Sequence, residues 1–593
     1  MSIHLFRPAR HGFGVLIPAL VCVFTVMLAS SSCSRATTPT GDSVKQVADT
    51  YWEFALRNSP EMATQLGELK YNDQLSDYSI AHAQAVKKEA ADMVARLKAL
   101  DAAKLKDAER LDYDILLGTL DDQIRSIDLK MYEMPVDQFY GVHIAIPQIA
   151  TYAPFDSVKH YEDYIARMRQ VPGRLDQLTA TMEQGMKDKL MPPKYLLEKT
   201  VVQCRNLADP AGDSNPFAAP ALHFPDSIAA ADQKRLHDEL VSVVDSQVRP
   251  AYKKLEQFIA TRYAPQGRLE EGYWALPDGD ERYRFNVHTQ TTSNMTPEQI
   301  HQLGLAQVAE IEEQIAALAK KAGYPDAKTF TRAVMSDPKL KATSREQILD
   351  HFRHYIEGME PKLPSLFGRL PKGKLLVTSV PEYMEKDSST QYVQGTPDGS
   401  RKGQVWVLTY DPPHHDMLDD EATAYHEGVP GHHLQIALQL ELPLHPFHRA
   451  IGYNAFAEGW ALYAERLGKE VGFYQEPASD LGRLRSELFR AIRLVVDTGV
   501  HYKRWKRQQM IDYFVTHFGD PNDVEVDRYV AIPGQALGYK VGQLKILELR
   551  KRAQDKLGAA FDIRAFHDRV LGAGSVPLDL LEGRIDSWIA LRK

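Results

Sequence analysis

Three histidines and a glutamate fall within eight residues of the segment Tyr425-His426-Glu427-Gly428-Val429-Pro430-Gly431-His432-His433-Leu434. Imidazoles beside a carboxylate are the donor set of a zinc hydrolase: two ring nitrogens hold Zn²⁺, and the neighbouring Glu takes a proton from water. That work normally uses His-Glu-x-x-His, because residues four apart share one helix face. Here the next histidines lie six and seven positions after His426, about 9 and 10.5 Å along a regular helix. Zinc–nitrogen bonds of about 2.0–2.1 Å cannot bridge that distance. Pro430 removes a backbone donor and clashes with the carbonyl of residue 426, and Gly431 tolerates unusual dihedrals. The pair therefore predicts a two-residue bulge that returns His432 beneath His426. The bland alternative is a His-rich helix end that solvent or local partners satisfy.

A third donor lies downstream in Ala455-Phe456-Ala457-Glu458-Gly459-Trp460-Ala461. Glu458 sits among apolar and small residues, where a carboxylate is costly without a cation to neutralise it. A helix returning antiparallel to the His helix would bring it to the metal. Glu465 follows on the same face, seven residues on, and is expected at the surface, with a supporting role behind the metal as the alternative. Arg493, Asp497, His501 and Trp505 recur every four residues. Asp497 could orient His501 and Arg493 could receive a substrate carboxylate; the competing reading is a buried ion-pair row between helices.

The elements that must position these residues are mostly helical. Val86, Ala90, Val94 and Leu97, and again Leu305, Val308, Ile311, Ile315 and Leu318, recur at steps of three and four. Thr296-Pro297-Glu298-Gln299 supplies a capping box and a first-turn proline to the second of these. The clearest strand is Gln404–Tyr410, with Val405, Val407 and Thr409 on one face and Trp406, Leu408 and Tyr410 on the other. It belongs to a small antiparallel sheet near 375–410, and as an edge strand it could pair with an extended substrate. The Pro-, Ala- and Asp-rich stretch 206–226 is a candidate division between two helical lobes.

Composition excludes more than it selects. Of 593 residues, 44% are hydrophobic and 25% charged, the proportions of an ordinary globular protein. A net charge of −8 argues against a nucleic-acid binder, so no nucleic-acid partner is expected. Three cysteines cannot make a disulfide scaffold. Arg7 and Arg10, an apolar run from Gly12 to Ala29 and Ser30-Ser31-Ser32-Cys33 read as an export signal over 1–33. Cys33 resembles the lipid-modified cysteine of bacterial lipoproteins, which would make it the chain's only link to a membrane. Cys22 leaves with the signal, and Cys204 is expected as a buried apolar thiol.

Taken together, His426–Gln435, Glu458-Gly459-Trp460, Pro533-Gly534-Gln535-Ala536-Leu537-Gly538-Tyr539-Lys540, Tyr283 to Thr292 and Asp398-Gly399-Ser400-Arg401 resemble the bacterial family catalogued as domain of unknown function 885. The likeness spans nearly all of residues 34–593. That family in turn resembles helical gluzincin-type zinc peptidases. The resemblance implies a mainly α, two-lobed fold with a deep cleft. It aligns Gly431-His432-His433-Leu434 with the Gly-His-x-Leu of those peptidases, which favours His432 over His433 as the ligand. It also casts Tyr539, in Gly538-Tyr539, as the oxyanion-stabilising phenol, the alternative being a buried core tyrosine. His501, from the four-residue row, is a second candidate donor.

The reading that follows is a zinc peptidase of the bacterial envelope, in the periplasm or as an outer-membrane lipoprotein. His426, His432 and Glu458 hold Zn²⁺, Glu427 is the general base, and the substrate is a short or unfolded peptide. The rivals are a zinc hydrolase of another amide or ester and a non-catalytic envelope binding protein with a structural or vestigial metal site.

Overall fold

The computed structural model describes residues 43–381, 385 and 389–592. The export signal, Cys22 and Cys33 lie outside those residues. Among the described residues, no helix is long and apolar enough to cross a membrane.

Helices dominate, and they arise where the periodicity places them. Helix α1 (Ile80–Lys98) buries Val86, Ala90, Val94 and Leu97. Helix α2 (Pro297–Lys321) begins with the anticipated capping box: Gln299 N–H donates to Thr296 Oγ1 at 3.2 Å, and Thr296 N–H donates to Gln299 Oε1 at 2.8 Å. Its inward face uses Ile300, Val308, Ile311 and Ile315, while Leu305 stays exposed.

The helices that carry the site follow in order: α3 (Asp420–Glu427), α4 (His432–Glu441), α5 (Asn454–Glu470), α6 (Pro477–His501), α7 (Asp523–Ala531) and α8 (Leu537–Leu557). Helix α6 is buried along almost its whole length, which makes it the central strut. Helices α5 and α8 cross at two glycines. A Cβ on Gly459 would lie 2.4 Å from the Cα of Gly542, and one on Gly542 would lie 1.9 Å from the carbonyl oxygen of Ala455. Only glycine at both positions allows backbones this close, and the closeness holds Glu458 on α5 and Tyr539 on α8 over one centre.

The sheet has three strands, β1 (Leu375–Ser379), β2 (Gln391–Val393) and β3 (Gly403–Val407), in the order β1-β3-β2. It is mixed rather than antiparallel. β1 runs parallel to β3 with Leu375 opposite Gly403, and β2 runs antiparallel to β3 with Tyr392 opposite Val405. β2, between them in sequence, lies on the far side of β3 from β1. β3 is accordingly the central strand. Both of its edges are filled, so it cannot pair with substrate as an edge strand would. The expected alternation holds, with Val405, Val407 and Thr409 buried.

Residues from Asp42 onward make one compact unit. The stretch 206–226 does not divide it. Phe217 and Ala221 are buried in the same hydrophobic cluster as Leu178 and Val201 before them and Leu236 and Tyr252 after them. It forms two short 3₁₀ turns, Gly212–Ser214 and the proline-containing Pro216–Leu222, rather than a linker. Cys204 is a buried free thiol in that cluster, and burial pushes it up to about 12.

Candidate metal centre

The helix that opens at Asp420 stops at Glu427 and a new one starts at His432, so the chain breaks completely where a bulge was expected. Gly428 and Gly431 bracket the break with ψ near −120° and −128°, and the Val429–Pro430 peptide is cis. A Cβ on Gly431 would sit 2.0 Å from the carbonyl oxygen of His426 and 2.3 Å from that of Tyr425. The buried Trp460 indole donates to the Pro430 carbonyl at 2.9 Å, fastening the break to α5. This folding-back places the His432 ring 4.8 Å from the His426 ring, centroid to centroid and perpendicular to it.

Glu458 completes the group. Its Oε2 lies 3.4 Å from His426 Nε2 and 3.4 Å from His432 Nε2, and it is buried with no hydrogen-bond partner. Protein N–H···O bonds are shorter, typically about 2.7–3.2 Å. Donors on a tetrahedral ion with bonds of about 2.1 Å lie about 3.4 Å apart. The spacing and the orphaned oxygen both fit a divalent metal better than a hydrogen-bonded triad. Glu427 also approaches, since one ligand atom from each of His426, Glu427 and His432 lies within 4.8 Å of the others. The two carboxylates differ in their bonding: Glu427 Oε2 accepts from the backbone N–H of Tyr392 in β2 at 2.8 Å, whereas Glu458 Oε2 accepts no hydrogen bond.

The imidazole of His426 is oriented from behind. Its Nδ1 donates to Glu465 Oε1 at 2.8 Å, while Ser486 Oγ donates to Glu465 Oε2 at 2.7 Å and Arg490 lies 3.6 Å from that carboxylate. Glu465 is 2% exposed, so the surface expectation is corrected. Seven residues after Glu458 it shares the inward face, and a ligating His ordinarily needs such a partner. Occupied at Nδ1, the ring presents Nε2 to Glu458. His432 lacks this support, because its Nδ1 is buried without a partner. His433 turns away from Glu458 and pairs its Nδ1 with the Tyr392 hydroxyl at 3.2 Å.

The charges are strongly coupled. Burial resists a charge on His426, but Glu458, Glu465 and Glu427 outweigh it and raise the imidazole to about 9. Burial likewise opposes ionisation of Glu458, yet the two imidazoles hold it well below the usual carboxylate range. Burial raises Glu427.

Tyr539 stands beside the centre, its ring nearly parallel to that of His426 at 6.4 Å. Arg493 packs over the phenol ring at 4.5 Å, and Arg528 Nη2 donates to its hydroxyl at 3.4 Å. His501, expected as a second donor there, is not available. Its Nδ1 accepts from the backbone N–H of Tyr273 at 3.1 Å and its Nε2 donates to the Tyr529 carbonyl at 2.9 Å. Complete burial also pushes the ring down to about 3, so it is a neutral structural brace. Asp497 does not orient it; that carboxylate accepts from the Tyr283 hydroxyl at 2.7 Å and Gly534 N–H at 2.9 Å. Arg493, Asp497 and His501 do share a face of α6, but they bond outward to different elements, and Trp505 lies beyond the end of that helix at His501. The Tyr392 amide that holds Glu427 left no trace in the sequence, whereas Glu465 and Trp460 were visible as positions without assigned partners.

The chain belongs to the family described as bacterial protein of unknown function (DUF885), whose pattern matches residues 60–585. A solved structure from Colwellia psychrerythraea, described as a "putative lipoprotein", is 30% identical, covers 93% of this chain and 100% of its own, and superposes with a TM-score of 0.87. A second protein of that description, of unknown function, from Shewanella oneidensis, is 18% identical over 91% of this chain and 99% of its own, with a TM-score of 0.68; it shares the fold. A "putative oligoendopeptidase F" from Bacillus anthracis str. Ames reaches only TM-score 0.31 at 11% identity over 85% of this chain and 96% of its own, too slight to bear on function. No curated protein matches in sequence.

Proposed function

We propose that this protein is a zinc-dependent peptidase that hydrolyses short or unfolded peptides in the bacterial cell envelope. The observation that carries the proposal is the unpartnered Glu458 oxygen, 3.4 Å from two imidazole nitrogens. His426, His432 and Glu458 would hold the ion. When bound, zinc supplies Lewis acidity, which polarises a carbonyl and makes a neighbouring water more acidic. Glu427 lies within reach of the same point, with one oxygen anchored by Tyr392 N–H and the other available for a proton. It takes the proton of the attacking water and returns it to the leaving amine nitrogen. Tyr539 donates its phenolic hydrogen to the carbonyl oxygen as negative charge grows there, and the guanidiniums around it favour that charge. The envelope location rests on the Arg-, apolar- and Ser-Ser-Ser-Cys33 pattern of the N-terminus and on the lipoprotein description of the 30%-identical Colwellia psychrerythraea structure.

The test is to purify the chain from residue 34 onward, measure its zinc, and screen a peptide library before and after Glu427→Gln. Retained zinc with cleavage lost supports the mechanism. Cleavage that survives the substitution removes Glu427 as the base.

A further inference from the structure

Next to Tyr539 the charges do not balance. Arg493 on α6 and Arg528 on α7 converge on a single carboxylate, Glu525. Arg493 Nη2 is 3.0 Å from Glu525 Oε2, and Arg528 Nη1 is 3.3 Å from Oε1. The remaining polar partners of the pair are neutral: Arg493 Nε donates to the Tyr529 hydroxyl at 3.1 Å, and Arg528 Nη2 donates to Gln535 Oε1 at 2.7 Å and to the Tyr539 hydroxyl at 3.4 Å. Arg493 Nη1 and Arg528 Nε are buried with no partner. Two guanidiniums against one carboxylate leave one positive charge and two directed N–H donors unmatched, an arrangement that is costly unless an anion completes it.

We propose that Arg493 and Arg528 form the receptor for the free C-terminal carboxylate of the peptide substrate, so that the enzyme removes residues from the C-terminal end. This rests on the peptidase reading above and specifies its substrate class. A carboxylate matches a guanidinium fork through two charge-assisted bonds. Arg528 is 3.4 Å from the phenol assigned to the reacting carbonyl, and that phenol is 6.4 Å from the His426 ring, centroid to centroid. At about 3.3–3.6 Å of extended chain per residue, only one or two residues fit between the scissile bond and the terminal carboxylate. The side chains of Arg528 and Glu458 keep 16% and 20% exposure, so both ends of that span meet solvent.

The experiment compares two peptides of one sequence, ending in a free carboxylate or a carboxamide. Wild-type kcat/KM is expected to favour the acid by about tenfold or more, the scale of one charge-assisted hydrogen bond. Arg528→Met should bring the ratio close to one, and Arg528→Lys should restore part of it. Mass spectrometry should show one or two residues released from the C-terminus. A wild-type ratio near one, a preference that survives Arg528→Met, or cleavage only at internal bonds overturns the proposal. A calorimetric titration of both peptides into Glu427→Gln protein reads the receptor without turnover. Tighter binding of the acid, lost on adding Arg528→Met, supports it even if wild type cleaves neither peptide, in which case the peptidase reading alone fails. Equal binding of acid and amide sinks the receptor. Should Arg528→Met not fold, the wild-type ratio and the Lys variant decide.

Discussion

Glu465→Gln isolates the support behind His426. The native carboxylate is 2% exposed and accepts the His426 Nδ1 hydrogen at 2.8 Å, with Ser486 at 2.7 Å on its other oxygen. Glutamine keeps the volume and one acceptor oxygen but removes the negative charge. A hydrogen bond to a charged group contributes about 1.5–3 kcal/mol and a neutral one about 0.5–1.5 kcal/mol, so the exchange costs the ring about 1–1.5 kcal/mol of support. Loss of an outer partner of a ligating His typically weakens metal binding by about 10–100-fold, and the neutral bond that remains places this variant near the lower figure. The assay is zinc affinity by competition against a chromophoric chelator at fixed pH, with circular dichroism to show that the fold is retained. An affinity within about twofold of wild type in a folded variant would refute the claim that this bond orients His426, because about 1.4 kcal/mol corresponds to tenfold.

Other consequences follow from the same geometry. Gly431→Ala drives a Cβ to 2.0 Å from the His426 carbonyl oxygen, so chemical denaturation should show a loss of at least about 1–3 kcal/mol, with zinc binding lost as well. Trp460→Phe removes the donor to the Pro430 carbonyl and should lower unfolding free energy by about 1–3 kcal/mol, with weaker zinc retention. His501→Gln should destabilise the fold while leaving zinc affinity of the folded protein intact, which separates a brace from a site residue. The same variant has a pH signature. The folded ring titrates near 3 and the unfolded one near 6.5, so above about pH 6.5 both are neutral and the group is without effect. As pH falls below that, the unfolded chain binds a proton the folded ring refuses, and wild type should lose about 1.4 kcal/mol per pH unit relative to the variant down to about pH 3. Parallel stability curves would contradict this.

The helical character and the site's main donors were legible because they depend on local chemistry. The Thr296 capping box, the α1 stripe and the incompatibility of Pro430-Gly431 with a straight helix are all short-range effects. Even there the local pattern implies only a two-residue bulge, whereas Gly428 and Gly431 together end one helix and begin another. What escaped the sequence was non-local. Whether β1 and β3 run parallel depends on where β2 passes, and the order β1-β3-β2 turned the expected edge strand into the central one. Glu465 had the right spacing to face inward, but no local pattern tells a carboxylate behind an imidazole from one in solvent. His501 failed for the converse reason: its helix face was real, but its partners are backbone groups of Tyr273 and Tyr529 on other segments. The Arg493–Arg528–Glu525 imbalance likewise needs two helices side by side.

The central claim is that His426, His432 and Glu458 hold one zinc ion, and the adjacent histidines test it most directly. Elemental analysis of purified wild type, His432→Ala and His433→Ala, each shown to be folded, should find about one zinc per chain in wild type and in His433→Ala, and almost none in His432→Ala. A zinc-free wild type, or zinc lost with His433 and kept without His432, would contradict the account.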